Sequence, residues 1–457
     1  MTILLTHGYF IHEDPVESGI MKPYPPLGLL YLSAWLKKYD ISHEVFDTTF
    51  ADMTKLKVCV ENYRPGVIGI YTTLMTKPNI LEIMAFVRGS HVFQDAKIII
   101  GGPDARHNAE NYLRNGADII VPGEGEETLV EIIGALSSGE MERLYEIKGI
   151  CFLDKDDHLF KTGERKPMDL KEVPFPSYER IDVSGYLEQW KRSHGYSSMT
   201  INSMRGCPYS CNWCSKSVFG NSYRRRNPIS VVEEMIQLRN TFQPDQVWFT
   251  DDVFTIGKEW LREFSSEIQR REVGLPYECI TRSDCLDDEV LAMLKRSGCR
   301  KVWIGAESGS QNVIELMSRK IDLVRTAEMM IKLKALGISV GAFIMLGYHG
   351  EKKKDIFKTA MFLKKTMPDD LTVGLAYPIK GTKYYDIVES FFTHPYNWKS
   401  GSERQIRFKK PFSDRFYRFS RRYLINIVAF KRANRGLRKW IFFLKAVISK
   451  TYVFWFH

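Results

Sequence analysis

The sequence predicts an α/β protein with two parallel β-sheets and a basic, mainly helical C-terminal tail. Residues 1–140 and 200–390 each alternate short apolar runs with amphipathic segments, a pattern typical of strands buried between helices. Residues 391–457 lack this alternation and are rich in Lys, Arg and aromatic side chains. We therefore expect two α/β domains, separated by a connector at residues 141–199, and a tail.

The composition is that of a folded protein of a reducing compartment. The 457 residues are 44% hydrophobic and 26% charged, which is enough to bury several cores. No basic segment followed by an apolar run and a cleavage site opens the sequence, so we expect a cytoplasmic protein. Five of the eight cysteines are spread singly and indicate no disulfide framework. These five are Cys59, Cys151, Cys279, Cys285 and Cys299.

Five apolar runs in residues 1–140 predict a Rossmann-like sheet of five parallel strands with helices on both faces. The runs are TILLTHG, HEVFDT, VIGIYTT, KIIIGGP and DIIVPGEG. Ligands bind such sheets at the carboxyl ends of the strands, where glycine allows close approach to the backbone. Glycine-rich loops follow the fourth and fifth runs, at Gly101-Gly102 and at Gly123–Glu126. They are either a ligand site or tight turns alone.

The second domain is predicted to be a partial (β/α)6 TIM-type barrel. The connector before it contains a predicted hairpin, KGICFLDKDDHLFKTG, and an extended segment, VPFPSYER. Six strand patterns follow, each with a helix pattern after it except the last, and the first of these helices is expected to begin at Ser230 with a capping box to Glu233. Six units are too few for an eight-stranded barrel, and functional residues are expected on the loops after the strands.

Three cysteines lie close together directly after the first strand of this second domain. The segment RGCPYSCNWCSK places Cys207, Cys211 and Cys214 at the spacing C-x3-C-x2-C. A structural zinc site has four ligands, usually in paired knuckles; no second knuckle exists, and His194 is a weak candidate for the fourth ligand. Three thiolates instead suit a [4Fe-4S] cluster with one iron left open for a substrate or cofactor.

With Trp213, the three cysteines form the motif C-x3-C-x-aromatic-C, and the sequence resembles the radical S-adenosylmethionine (SAM) enzymes. The resemblance implies a [4Fe-4S] cluster whose open iron is chelated by S-adenosylmethionine. It also implies reductive cleavage of that molecule to a 5'-deoxyadenosyl radical, and an electron donor such as flavodoxin or ferredoxin.

The resemblance extends along the barrel strands and implies further contacts to S-adenosylmethionine. In FTDD, Asp251 or Asp252 matches a position that contacts the methionine amino group, and Glu307 in GAES matches a ribose-binding position. Arg282 is a candidate partner of the methionine carboxylate, the alternative being a salt bridge within the barrel mouth. Gly347 matches the segment near adenine, although LGYHGE departs from the usual G-L-P-G-E.

The first domain resembles the cobalamin-binding domain of cobalamin-dependent radical SAM enzymes, the group of the anaerobic magnesium-protoporphyrin monomethyl ester cyclase and the class B methyltransferases. The alternative is a Rossmann-like domain with only a structural role. The motif D-x-H-x-x-G is absent, since DDHLFK has Lys161 in place of glycine, so no histidine ligand to cobalt is expected. The implied cobalamin contacts are Pro26, Leu27, Gly28, Thr72, Thr73, Gly101, Gly102, Gly123, Glu124, Gly125 and Glu126.

The tail holds most of the positive charge. From Gly401 onward there are 15 Lys or Arg and 2 acids, a net +13 against +10 for the whole chain. Lys445 and Lys450 interrupt the apolar run after Trp440, so the tail is not expected to span a membrane. Its Trp and Phe among basic residues suit a helix lying on anionic lipid, peripheral to the inner face of the membrane. A helical lid over the barrel and a nucleic-acid surface are the alternatives.

These predictions lead to one main hypothesis of function. It is an anaerobic, cobalamin-dependent radical SAM enzyme that C-methylates an unactivated carbon of a hydrophobic small molecule. Radical ring closure or rearrangement of a lipid, isoprenoid or tetrapyrrole is the alternative chemistry. An RNA-binding or tRNA-modifying protein and a non-catalytic iron-sulfur or zinc scaffold are alternatives from other classes.

Overall fold

The computed structural model describes residues 1–216, 218–401, 403–433 and 436–455. Its strands are β1 (Ile3–His7), β2 (Glu44–Phe46), β3 (Val67–Tyr71), β4 (Lys97–Gly101), β5 (Ile119–Val121), β6 (Cys151–Leu153), β7 (Leu159–Lys161), β8 (Ser198–Ile201), β9 (Met204–Arg205), β10 (Arg224–Arg225), β11 (Gln246–Phe249), β12 (Tyr277–Thr281), β13 (Cys299–Glu307), β14 (Ser339–Leu346) and β15 (Asp370–Leu375).

The helices alternate with these strands through both domains and continue into the tail. They are α1 (Pro15–Ile20), α2 (Leu27–Lys38), α3 (Met53–Tyr63), α4 (Lys77–Arg88), α5 (Ala109–Leu113), α6 (Glu126–Ser138), α7 (Val183–His194), α8 (Pro228–Phe242), α9 (Lys258–Arg270), α10 (Asp288–Arg296), α11 (Gln311–Leu316), α12 (Leu323–Ala335), α13 (Lys353–Thr366), α14 (Lys383–Val388), α15 (Asp414–Arg432) and α16 (Leu437–Trp455).

The N-terminal sheet has the strand order β2-β1-β3-β4-β5-β6-β7. Strands β1 to β5 are parallel, as predicted, because helices cover both faces and each face buries its own apolar core. The hairpin β6–β7, predicted within the connector, pairs antiparallel with β5. The sheet therefore has seven strands rather than the predicted five, because the hairpin extends it past the boundary predicted at residue 140.

The second sheet contains six parallel strands in the order β8-β11-β12-β13-β14-β15 and forms an open half-barrel. This confirms an α/β fold with parallel sheets and a partial barrel. Helix α8 begins at Pro228 rather than at the predicted Ser230, because the Asn227 side chain accepts from Ile229 N and a proline suits the first helical position. The predicted capping box from Ser230 is therefore wrong.

The first α-helix of the tail, α15, packs onto the half-barrel. Helix α15 packs against α13 and β15, so it covers the free edge of the half-barrel. Its buried side chains, including Phe416, Tyr417 and Leu424, belong to the barrel core. Helix α16 packs on α15. Within the described residues, none of the helices is long and apolar enough to cross a membrane.

Candidate active site between the two sheets

The cysteine loop is closed at its base by a short antiparallel pair. Strand β9 ends two residues before Cys207 and pairs with β10. Between them, Gly206 has φ +83°, and a Cβ there would lie 1.9 Å from the Ser222 carbonyl oxygen. Only glycine combines this backbone conformation with so close an approach. Gly206 therefore fixes the point at which the chain leaves the barrel and enters the loop.

Positive charge surrounds the middle cysteine of the loop. The buried Cys211 Sγ lies 3.6 Å from Arg282 Nη1 and 3.7 Å from Arg319 Nη1. A hydrogen bond from the Cys214 thiol, together with these two guanidinium groups, lowers the pKa of Cys211 below that of a free thiol. Burial raises the pKa of Cys207. The surroundings thus favour a thiolate at Cys211, the form that binds metal.

His194, the candidate for a fourth zinc ligand, contacts the N-terminal domain, whereas Cys285, one of the single cysteines, lies beside the loop. His194 Nε2 lies 3.0 Å from the backbone carbonyl oxygens of Ile20 and Met21, so its ring joins α7 to the segment before α2. The Cys285 Sγ lies 2.9 Å from the Tyr209 hydroxyl within the loop. Because His194 is engaged with the N-terminal domain, it does not complete a four-ligand zinc site with the cysteines.

The two aspartates after β11 differ in burial: Asp251 is buried and Asp252 is exposed. Asp251 is buried, and its carboxylate accepts from Ser203 N at 2.7 Å, from Met204 N at 3.1 Å and from the Ser203 hydroxyl. These bonds hold the turn between β8 and β9 in place. Asp252 instead lines the large cavity between the domains. Of the two candidates for the methionine amino group, Asp252 is therefore the accessible one.

Arg282 and Glu307 both lie at the barrel mouth. Arg282 forms a bidentate ion pair with Asp284, at 2.9 and 3.0 Å, and stacks on the Tyr209 ring. This corresponds to the salt bridge considered as the alternative for Arg282. Glu307 has φ +59° at a register shift in β13, and its carboxylate lies 3.6 Å from Arg319 Nη2. Burial raises the pKa of Glu307. Such a conformation is strained for a residue with a side chain, and strain of this kind clusters at functional sites.

The loop after β14 joins the barrel mouth to the tail. Gly347 has φ +77°, and its N–H donates to Glu351 Oε2 at 2.7 Å. Burial raises the pKa of Glu351 to about 8. Tyr348 stacks on Tyr384 at 4.5 Å and lies edge-on to Trp213 at 6.5 Å. The predicted Trp213 and Gly347 are therefore brought together through an aromatic cluster.

A cavity of about 570 Å³ opens between the carboxyl edges of the two sheets. From the barrel side its wall includes Asn202, Ser215, Lys216, Trp248 and Asp252. From the N-terminal side it includes nine of the eleven residues predicted to contact cobalamin, with no histidine among the lining residues. The nine are Pro26, Leu27, Gly28, Gly101, Gly102, Gly123, Glu124, Gly125 and Glu126.

The two predicted residues outside the cavity wall are Thr72 and Thr73. The Thr72 hydroxyl lies 2.9 Å from the Tyr112 hydroxyl, and Thr73 N donates to the Thr76 hydroxyl at 2.8 Å, in the turn before α4. In this part of the chain Gly69, Ile70 and Tyr71 of β3 line the cavity instead. The structure therefore does not place Thr72 and Thr73 at the cavity wall with the other nine residues.

The carboxylates of Glu124 and Glu126 bind arginines of the barrel. Arg205 Nη1 lies 3.0 Å from Glu124 Oε1, and Arg205 Nη2 lies 2.5 Å from Glu126 Oε1. Arg224 Nη1 lies 2.9 Å from Glu124 Oε2. Arg205 and Glu126 are buried and the Glu124 side chain is only 9% exposed, so the glycine-rich loop is tied to the strand that leads into Cys207. Arg205 and Arg319 are site residues that the sequence analysis missed.

Two glycines of the cavity wall differ in what a side chain would meet. Gly102 has φ +107°, and a Cβ there would lie 2.3 Å from the Thr72 carbonyl oxygen. A Cβ at Gly123 would meet no atom within 4 Å, so this position faces open space. A wide, largely apolar cleft with exposed loop backbone fits a large planar ligand such as cobalamin, and the three thiols fit an iron-sulfur cluster.

Comparison with protein families identifies the two domains. The family model described as "Radical SAM superfamily" matches residues 201–363. The family model described as "B12 binding domain" matches residues 20–133. The chain is a radical SAM enzyme with a B12-binding domain. The radical SAM match covers the cysteine loop and strands β11 to β14 of the half-barrel, and the B12-binding match covers the glycine-rich edge of the N-terminal sheet. The predictions of an enzyme and of S-adenosylmethionine and cobalamin as its cofactors are confirmed at the level of these families.

Two relatives and one solved structure are similar to this radical SAM enzyme over most of its length. An uncharacterized methyltransferase of Pyrococcus horikoshii is 27% identical over 81% of each chain. The anaerobic magnesium-protoporphyrin IX monomethyl ester cyclase of Cereibacter sphaeroides is 25% identical over 85% of this chain and 65% of its own. The structure of the radical SAM methyltransferase TsrM from Kitasatospora setae, with cobalamin and a [4Fe-4S] cluster bound, shares the fold, with TM-score 0.72 and 19% identity over 86% of this chain and 76% of that one.

Proposed function

We propose that this protein is a cobalamin-dependent radical SAM methyltransferase that methylates an unactivated carbon of a hydrophobic small molecule. One observation supports this most directly: Ser215, next to Cys214, lines the same cavity as the glycines Gly101 and Gly123. A group held by the cysteines and a group held by the glycine-rich loops would therefore share one space. A substrate between them would meet both.

The three thiols Cys207, Cys211 and Cys214 would hold a [4Fe-4S] cluster. With its cofactors bound, the site would supply a carbon-centred radical from S-adenosylmethionine and a methyl group from cobalamin. Arg282 and Arg319 balance the negative charge of Cys211. Asp252, at the accessible position, is the residue we assign to the methionine amino group.

The N-terminal loops would hold cobalamin mainly through backbone groups. The carboxylates of Glu124 and Glu126 are bound by Arg205, which leaves the backbone of this loop and of Gly101-Gly102 as the cobalamin-facing groups. Holding the loop and the cysteine strand at a fixed separation favours reaction, because alignment of reacting groups lowers the entropic barrier.

Methyl transfer is favoured over ring closure by the resemblance to methyltransferases, while the similarity to a cyclase keeps ring closure as the second candidate. A hydrophobic substrate is favoured because apolar side chains dominate the cavity wall, among them Leu5, Leu129, Val218 and Trp248. An electron donor such as flavodoxin or ferredoxin belongs to the proposal.

The test is anaerobic reconstitution with iron, sulfide and hydroxocobalamin, followed by a chemical reductant and S-adenosylmethionine with a deuterated methyl group. We expect 5'-deoxyadenosine and S-adenosylhomocysteine, and deuterium in the product from an extract of apolar metabolites. A product without the label would favour ring closure or rearrangement. Absence of 5'-deoxyadenosine in the reduced, iron-loaded protein would contradict both.

A matched pair of variants keeps this test specific. Cys211→Ala is expected to abolish 5'-deoxyadenosine, because it removes one of three iron ligands. Cys59→Ala removes a half-buried thiol on α3 in the N-terminal domain and should leave cleavage unchanged. Equal loss in both variants would show that the effect is not specific to the loop.

A further inference from the structure

Helix α16 turns its large apolar side chains away from the protein. Leu437, Trp440, Leu444, Ile448 and Trp455 are 79%, 62%, 57%, 63% and 70% exposed. Their spacing of three, four and seven residues places them on one face of the helix. Ile441, Val447 and Phe454 widen the same face, each more than 40% exposed. A surface helix normally turns such a face towards the core.

The inward face of α16 is made of smaller residues. Ala446, Ser449 and Val453 are the buried residues of the helix. The Phe419 and Tyr452 rings stack at 4.0 Å and join α15 to α16. The helix is therefore anchored to the protein by one side, and its large apolar face remains uncovered within the described residues.

Basic side chains border the apolar face on both sides. At 100° per residue, Arg438 and Lys445 lie along one edge, and Lys439 and Lys450 lie along the other. No acidic residue follows Asp414 in the sequence. Burial and the neighbouring Lys450 and Lys431 lower the pKa of Lys364 on α13. Positive charge is thus concentrated around the face rather than neutralised.

We propose that α16 docks flat on an anionic lipid bilayer, with its apolar face at the boundary between headgroups and acyl chains. The apolar face of the helix suits the acyl chains, and its basic edges suit the anionic headgroups. The remaining side of the helix packs on the protein. A second copy of the chain would bring the same lysines and arginines together, and a nucleic acid would leave the apolar face without a partner. The proposal does not depend on the proposed reaction.

The test is sedimentation of the reconstituted full-length protein with vesicles. Phosphatidylcholine vesicles containing phosphatidylglycerol are compared with vesicles of phosphatidylcholine alone. We expect binding to the anionic vesicles that weakens as salt is raised, because the basic edges are screened. Brominated acyl chains should quench the fluorescence of Trp440 and Trp455, a signal that Trp440→Ser with Trp455→Ser removes.

Variants separate the apolar face from its charged edges. Leu444→Ser with Ile448→Ser should weaken binding to anionic vesicles by at least about tenfold, because two large apolar side chains that enter the bilayer on binding are lost. Lys445→Gln with Lys450→Gln should weaken it by about fivefold per charge. Val92→Ser with Val324→Ser is the control, since these valines are 64% and 61% exposed on other surfaces. Melting temperatures check that each variant is folded.

Several outcomes would overturn the proposal. One is a wild-type protein that stays in the supernatant with anionic vesicles at low salt. Another is a Leu444→Ser, Ile448→Ser variant that binds as the wild type does. A dimer that this variant abolishes, without vesicle binding, would assign the face to a second copy. RNA binding without vesicle binding would assign the tail to nucleic acid.

Discussion

At the scale of single residues, the cysteine loop combines three thiols with two guanidinium groups. Cys211 is the thiol within reach of both Arg282 and Arg319. Arg282 could be predicted as a site residue because it directly follows a barrel strand, whereas Arg319 leaves no such signal because it lies in the loop between α11 and α12. The cysteine motif itself could be recognised from the sequence, because its three thiols lie close together in the chain at a spacing that suits iron ligation.

Cys285 provides a residue-scale test of three ligands against four. Its Sγ lies 2.9 Å from the Tyr209 hydroxyl, so it is a thiol held next to the loop. We expect Cys285→Ala to keep the iron content and the absorbance of the reconstituted protein, whereas Cys211→Ala loses both. Loss of iron in Cys285→Ala would mean that a fourth cysteine ligates the cluster and that no iron is open.

Glu351 provides a prediction of pH dependence. Burial raises its pKa from 4.5 to about 8, so the native state retains a proton that the unfolded state releases in this range. Its contribution to stability is present below pH 4.5 and is lost as the pH rises towards 8. Relative to the wild type, the melting temperature of Glu351→Gln should therefore increase by a few degrees between pH 5 and about pH 8. A difference that stays constant with pH would contradict the protonated native state.

At the scale of elements, the strands were predictable and their side-chain directions less so. Apolar runs marked the strands that form both sheets, because parallel strands are buried on both faces. The same patterns do not reveal where a strand ends, so Thr72 was assigned to the cavity that Tyr71 lines. The start of α8 was missed because Asn227 and Pro228 together form a cap that precedes Ser230.

The turn between β9 and the cysteine loop is predicted to tolerate no side chain. In Gly206→Ala, the Cβ would meet the Ser222 carbonyl in a backbone region that disfavours alanine. We expect a loss of about 2 kcal/mol or more in the free energy of unfolding, and reduced iron incorporation. Gly195→Ala is the control, because Gly195 has φ +76° with no atom within 4 Å of the added Cβ. Equal effects in both variants would mean that the close approach at Gly206 is unimportant.

At the scale of the whole molecule, buried ion pairs hold the two domains in register. Arg205 and Glu126 are 79 residues apart in sequence, and charged pairs of this kind leave no local signal, so only the fold brings them together. Glu124 and Glu126 line the cavity with the other predicted residues, while their carboxylates also support the loop through Arg205. The shared cavity, by contrast, was foreseeable from the rule that ligands lie at the carboxyl ends of parallel strands.

Breaking this network should affect both stability and cobalamin binding. In Glu126→Gln, the buried Arg205 loses one of its two carboxylate partners, and we expect a cost of about 2 kcal/mol or more with weaker retention of cobalamin on gel filtration. Glu142→Gln breaks the exposed pair with Lys155, and its cost should stay below about 1 kcal/mol. Cobalamin retention equal to that of the wild type in Glu126→Gln would show that the network does not position the loop.

Because Arg205 lies two residues before Cys207, the single residue between them, Gly206, sets the distance from the ion pairs to the first thiol. Adding or deleting one residue between Arg205 and Cys207 would shift the Cys207 thiol relative to the turn that carries Glu124 and Glu126. The interior of neither domain would change. Chimeras that exchange only one domain with a relative would therefore need a matching turn on the retained domain. Engineering of new substrate scope is better begun at the apolar wall of the cavity than at this junction.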